Sequence, residues 1–230
     1  MTHLAEIIRM VTLFAIPITF AITFHEAAHG YAAKHLGDDT ADRAGRISLN
    51  PLRHIDPMGT IVIPLGILIL GQLSGVPMPL FGWAKPVPVN FRNLHSPKRD
   101  MLWVAAAGPG ANLLMAMGWG ALIVFAQNFP PNTYTLPMVG MALMGIQINV
   151  MLIALNLIPL PPLDGGRIVV SLLPLPLARR FAKIEPYGIV VLMLLLFAPA
   201  ALNLPPLLSG LINAFAGMIT RFITVILGIH

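Results

Sequence analysis

Apolar residues run through this chain in long blocks, and the polar residues gather in the gaps between them. Five blocks are long enough to cross a bilayer as helices, at roughly 5–35, 101–127, 137–159, 185–202 and 207–228. A helix rising ~1.5 Å per residue needs about 20 residues to cross a hydrocarbon core of ~30 Å. A sixth block, Gly59 to Leu73, is apolar but short, and Pro64, Gly66 and Gly71 interrupt it. The pattern predicts an all-α polytopic membrane protein with about five to six transmembrane helices and a re-entrant segment near 57–90. The Pro- and Gly-rich patches punctuate these blocks and do not read as interdomain linkers, so a single integral-membrane domain is expected over 1–230.

Composition agrees with the pattern. Hydrophobic residues make up 57% of the 230 positions and charged residues 10%, with mean hydropathy +0.80. A soluble domain is about half apolar and about a quarter charged. Lipid bilayer is therefore the expected surrounding. The net charge of +5 does not point to nucleic acid, because Lys and Arg collect on the cytoplasmic side of membrane proteins. Cysteine is absent, which excludes disulfides and thiolate metal sites and leaves His, Asp and Glu as metal ligands. No cleavable signal peptide is expected, since the apolar stretch after Arg9 runs into His25-Glu26 without a small-residue cleavage site.

The fourteen Lys and Arg residues carry the topology. Lys34, Arg43, Arg46 and Arg53 follow the first block, and Lys85, Arg92, Lys98 and Arg99 follow the short one. Arg167, Arg179, Arg180 and Lys183 lie between the third and fourth long blocks. The links 128–136 and 203–206 carry none. If the short block crossed, the first two clusters would lie on opposite faces, against the positive-inside rule. If it dips in and returns, all three clusters share the cytoplasmic side. The second reading puts the N-terminus outside and the C-terminus in the cytoplasm of a multi-pass plasma-membrane protein. A stretch at membrane depth that does not span must pack on protein or line a wet cavity.

The first block ends in His25-Glu26-Ala27-Ala28-His29. Residues four apart lie on one helix face, so two imidazoles can share one Zn²⁺, with the intervening Glu placed to act as general base. Ionisable groups at the end of an apolar helix are costly and usually functional. A hydrolytic zinc site takes three protein ligands and keeps a fourth position open. Asp164 is a candidate third ligand. It follows Asn156-Leu-Ile-Pro-Leu-Pro-Pro-Leu, where prolines end helical pairing, and precedes Gly165 and Gly166, which allow a tight turn. The same Asp could instead cap a short helix starting near Gly165. Residue chemistry alone leaves the two even.

Together these residues resemble the site-two proteases, a family of intramembrane zinc metalloproteases. The resemblance rests on Phe24-His-Glu-Ala-Ala-His-Gly, Asn50-Pro-Leu-Arg-His-Ile-Asp-Pro-Met-Gly-Thr and Gly82-Trp-Ala-Lys-Pro-Val-Pro-Val-Asn. Ala107-Gly-Pro-Gly-Ala-Asn and Asn156 through Leu163-Asp-Gly-Gly complete it. It implies one Zn²⁺ per chain on His25, His29 and Asp164, with Glu26 catalytic and Asn156 beside the site to hold substrate or stabilise the oxyanion. The substrate implied is a transmembrane protein segment, cut within the bilayer near the cytoplasmic side. The resemblance is to the compact branch, without an inserted PDZ domain or a C-terminal CBS domain.

Three residues are open to other roles. Asn156 could simply cap its broken helix. Asn112 suits helix packing, where a polar residue bonds across close backbones, and a place behind the ligands is the alternative. His54, near Asp56, fits a second layer around the metal or an interfacial loop. A different function class also uses such residues: a membrane transport protein carrying metal or protons through the same His and Asp groups. Glu26 has no evident role in that reading.

Overall fold

The computed structural model describes residues 3–74, 82–202, 205 and 207–228. Every regular element among them is helical, as the apolar blocks predict. Helix α1 spans His3–His35, followed by the short α2 (Thr40–Arg43) and a π-turn over Pro57–Val62 that leads into α3 (Ile63–Ser74). Helices α4 (Pro97–Ala126) and α5 (Thr135–Asn156) form the centre. Then come α6 (Asp164–Leu172), α7 (Leu175–Ala182), α8 (Gly188–Ala201) and α9 (Leu207–Leu227).

Four helical stretches among the described residues are long and apolar enough to cross a membrane: Pro97–Ala126, Thr135–Asn156, Leu175–Pro199 and Leu208–Leu227. Helix α1 is 33 residues long, with His25, Glu26 and His29 in its C-terminal third. Large apolar side chains face outward along the bundle, among them Phe20, Leu114, Phe125, Leu194 and Val225. In water such a surface would be an aggregation hazard, whereas in lipid it is the solvated face.

Helix α4 is the hub, packing against α1, α5, α6 and α9. Its sequence explains the position. Gly108, Gly110, Gly118 and Gly120 alternate with alanines, and small residues let neighbouring backbones come close. The main core lies where α4, α5 and α9 meet, around Ala116, Ile123, Ala142, Ile146, Val150, Ala216 and Ile223.

Three expected boundaries move. The block expected to reach residue 159 stops being helical at Asn156, ahead of Pro159. The block expected at 185–202 is only the end of a longer run. It starts at Leu175 as α7 and passes through a 3₁₀ turn at Glu185–Tyr187 into the 14 residues of α8. Helix α6 was foreseen only as the capping alternative at Gly165. The short sixth block becomes the π-turn and the 12-residue α3, too short to span by itself. Residues 75–81, where its return would lie, are outside the described residues.

From Gly82 to Asn90 the chain forms no regular element and lies against the end of α1 as a strap. Its inward amides are used one by one. Trp83 N–H donates to Gly59 O, Lys85 N–H to His54 O, and Asn90 N–H to an Asp38 carboxylate oxygen. The strap brings the first two basic clusters together, because Arg46 Nη2 donates to Lys85 O at 2.7 Å. The third joins them through Arg167, whose guanidinium lies 5.5 Å from the centre of the Phe91 ring. All three clusters therefore meet at one end of the bundle.

Candidate metal centre

His25 and His29 project from the same face of α1, one turn apart, with their rings nearly perpendicular at 85°. Their Nε2 atoms are 3.1 Å apart. Asp164 comes from the first turn of α6, and its Oδ2 lies 3.3 Å from His25 Nε2 and 3.4 Å from His29 Nε2. Two ligands at ~2.0–2.1 Å from a tetrahedral zinc are about 3.3 Å from each other. The three separations match that figure.

The hydrogen bonds behind the rings fix where the protons are. His29 Nδ1 lies 2.7 Å from Val104 O, and a carbonyl can only accept. Nδ1 therefore carries a proton, and in the neutral ring Nε2 holds the lone pair. For His25 the chain of reasoning is longer. Asn149 Nδ2 donates to Gly145 O at 2.8 Å, so its Oδ1 accepts from Asn112 Nδ2, also at 2.8 Å. Asn112 Nδ2 also donates to Ala21 O at 3.2 Å, which leaves Asn112 Oδ1 facing His25 Nδ1 at 2.5 Å. His25 Nδ1 must donate, so in the neutral ring its Nε2 holds the lone pair. With both rings neutral, the contact between the two Nε2 atoms is not a hydrogen bond.

With both rings neutral, as metal ligation requires, two lone pairs and a carboxylate oxygen converge. Asp164 Oδ2 is buried and has no hydrogen-bond partner among the described residues. Such an arrangement is unfavourable unless a cation sits among the three. His25, His29 and Asp164 are the group of ligand atoms that could hold one. Two nitrogens and one carboxylate oxygen suit zinc.

Gly108 on α4 opens the space. A Cβ built there would sit 2.6 Å from His25 Cε1 and from His29 Cε1, and closer still to His29 Nε2. Only glycine leaves the cradle empty. Gly165 and Gly166 do a different job, letting α6 press onto the proline turn that precedes it. Cβ atoms there would fall 2.5 Å from Ile158 O and 2.7 Å from Pro161 Cα. That close approach swings Asp164 under the two histidines. The N-cap position of α6 falls to Leu163, and Asp164, in the first turn, has its carboxylate oxygen beside the two histidines.

The remaining candidates fall in different places. Glu26 Oε2 accepts the Val87 N–H of the strap at 2.8 Å, and its other oxygen has no hydrogen bond among the described residues. Asn112, expected chiefly as a packing residue, is the partner of His25 and is fully buried. Asn156 ends α5 and donates back to Leu152 O at 3.0 Å, with no other hydrogen bond among the described residues. His54 is not behind the histidines. It is buried in the loop after α2, where its Nε2 meets Ser48 O at 2.8 Å. Asp56 accepts from Gly59 N–H and starts the π-turn. The backbone groups of Val104 and Val87 were missed because no residue type signals them, and Asn149 was missed although an amide within an apolar helix is a signal.

A buried His-His-Asp cluster at the end of an apolar helix bundle points to a class, the membrane proteins with a candidate metal centre. The model of Peptidase family M50 matches residues 131–198, which include Asn156 and Asp164. The chain is 37% identical over 193 residues to "Putative zinc metalloprotease YwhC" of Bacillus subtilis, covering 80% of each protein. It is 29% identical over 180 residues to "Putative zinc metalloprotease Rip2" of Mycolicibacterium smegmatis, covering 78% of this chain and 64% of that one. No solved structure matches. The chain belongs to peptidase family M50, the site-2 protease family.

Proposed function

We propose that this protein is a zinc endopeptidase that cuts transmembrane segments of other proteins within the bilayer, near its cytoplasmic side. One Zn²⁺ per chain is held by His25, His29 and Asp164, and the domain is the whole of 1–230. The observation that carries the reading is the convergence of three ligand atoms at 3.1–3.4 Å. When bound, zinc would supply Lewis acidity and bring the pKa of water down to about 7.

The chain's own groups do the rest. Glu26 follows His25 directly and is the general base. It takes a proton from water and later passes it to the leaving amine. The Val87 N–H holds one carboxylate oxygen and so orients the other. Asn112 and Val104 hold the imidazoles in the tautomer that leaves Nε2 free. Asn156 is assigned to substrate or oxyanion contact with its free carbonyl and amide edge, for which the substrate must approach the end of α5. The meeting of the three basic clusters at one end supports a cytoplasmic location for that end. It gives an outside N-terminus and an inside C-terminus in the plasma membrane.

The test is Glu26→Gln in a membrane preparation with a single-span reporter. Cleavage is expected to fall at least about 100-fold, the scale of general-base loss, with zinc content unchanged. Persisting cleavage would sink the assignment. Zinc flux into proteoliposomes without any cleavage would move the same site to transport.

A further inference from the structure

The cavity that stands out away from the metal centre has a volume of about 560 Å³, and none of its lining residues is one of the three convergent ligands. It is lined by Arg43, Arg46, Arg53 and Lys85, with Leu52 and Ile55 among its apolar walls. No acidic residue lines it. Of the four cations, Arg43 alone has a carboxylate partner among the described residues, Asp39 at 2.7 Å. Asp42, the other nearby acid, is taken by Lys34.

The cations are not loose. Arg46 Nη2 donates to Lys85 O, and its Nε is buried without a hydrogen-bond partner among the described residues. Arg53 Nη1 donates to Gly45 O, at a turn where Gly45 adopts φ +63°. Two guanidiniums are thus held by backbone carbonyls, which fixes their position without neutralising their charge. The Lys85 ammonium has no partner among the described residues. Fixed, unneutralised guanidiniums suit a phosphate, which Arg recognises through paired N–H groups.

The surroundings favour a phosphate that belongs to a lipid. Leu52 on the cavity wall is 73% exposed, and Leu49 and Met58 nearby are also exposed, so an apolar tail has a path beside the basic pocket. Basic pockets at the cytoplasmic end of membrane bundles take anionic headgroups. We propose that the cavity formed by Arg43, Arg46, Arg53 and Lys85 binds the phosphate headgroup of an anionic phospholipid. Lys85 lies on the strap two residues from Val87, so an occupant braces the segment that holds Glu26.

The experiment uses the full chain in nanodiscs of phosphatidylcholine with one quarter phosphatidylglycerol, extracted gently and read by native mass spectrometry for retained lipid. Arg46 and Arg53 also brace the loop, so the test pair is Lys85→Gln with Arg43→Gln, whose side chains hold no backbone. Wild type is expected to retain phosphatidylglycerol in preference to phosphatidylcholine. The double variant should lose about fivefold of that preference per cation removed. A control that removes equal charge elsewhere, Arg179→Gln with Arg180→Gln, should keep it. An equal loss in the control, or none in the double variant, overturns the proposal. Millimolar inorganic phosphate is the second arm: if it displaces phosphatidylglycerol as well as equimolar short-chain phosphatidylglycerol does, the site takes free phosphate and the lipid assignment fails.

Discussion

The metal centre and the basic cavity are two regions with opposite imbalances. In the first, both Nδ1 atoms are paired behind the histidines, and their Nε2 atoms converge on an Asp164 oxygen that has no hydrogen-bond partner among the described residues. In the second, the Arg46 and Arg53 guanidiniums are pinned by carbonyls and have no carboxylate partner among the described residues. The first is buried between α1, α4 and α6, where an unneutralised charge is expensive. The second is open, where the same imbalance costs little because water and salt screen it. Burial therefore decides how strongly each site demands its ligand. The first arrangement calls for a cation, whereas the second would only favour an anion.

The sharpest way to break the comparison is to fill the cradle. Gly108→Ala should remove bound zinc and cut reporter cleavage at least about 100-fold, since the methyl group would occupy the space between the rings. Gly110→Ala, one position with nothing within 4 Å, should leave both within about twofold of wild type. Zinc content and cleavage measured on the two variants together separate a local effect from a general weakening of α4.

Next in size is the support behind His25. Asn112→Leu leaves the Nδ1 proton without an acceptor and frees the ring, so zinc affinity should fall about 10- to 100-fold in a chelator competition. Asn149→Ala should act in the same direction and more weakly, because Asn112 keeps its bond to Ala21 O. An unchanged affinity in Asn112→Leu would mean that the tautomer is set elsewhere.

The smallest effect lies in the loop that carries the cavity. Asp38 is fully buried there and holds its carboxyl below the usual value near 3.8. Burial works against the ionised form, but the Thr40 hydroxyl, the Asn90 N–H, the Asn93 amide and the Thr40 N–H outweigh it. A lowered folded-state pKa means stability that is present above about pH 4 and is lost as pH falls through the folded value. Asp38→Asn should lower Tm by a few degrees at neutral pH, and the two proteins should converge below pH 4. A difference that persists in acid would show that packing, not charge, is at stake.

How much of this was legible beforehand varied with the kind of signal. His25, Glu26 and His29 are readable because four-residue spacing on a helix has one geometric meaning. Asp164 was visible as a candidate but tied with helix capping. The tie depends on how closely α6 can approach the proline turn, which is a matter of backbone contact at Gly165 and Gly166. Asn112 was readable as polar in a small-residue helix, but the direction of its side chain depends on Asn149 and on the rotation of α4. The Val104 carbonyl and Val87 N–H carry no side-chain signal at all. The long apolar blocks gave helices within a few residues of the observed ends, whereas α7 was hidden because a short amphipathic helix merges with the run that follows.

The reading of the site rests on His25 Nε2, His29 Nε2 and Asp164 Oδ2 holding one zinc. Zinc per chain, measured by elemental mass spectrometry on protein purified without chelator, tests it most directly. The account predicts one zinc in wild type and in Glu26→Gln, and less than about one tenth of that in Asp164→Ala, which removes one of the three protein ligands a site of this kind requires. One zinc retained by Asp164→Ala would contradict it.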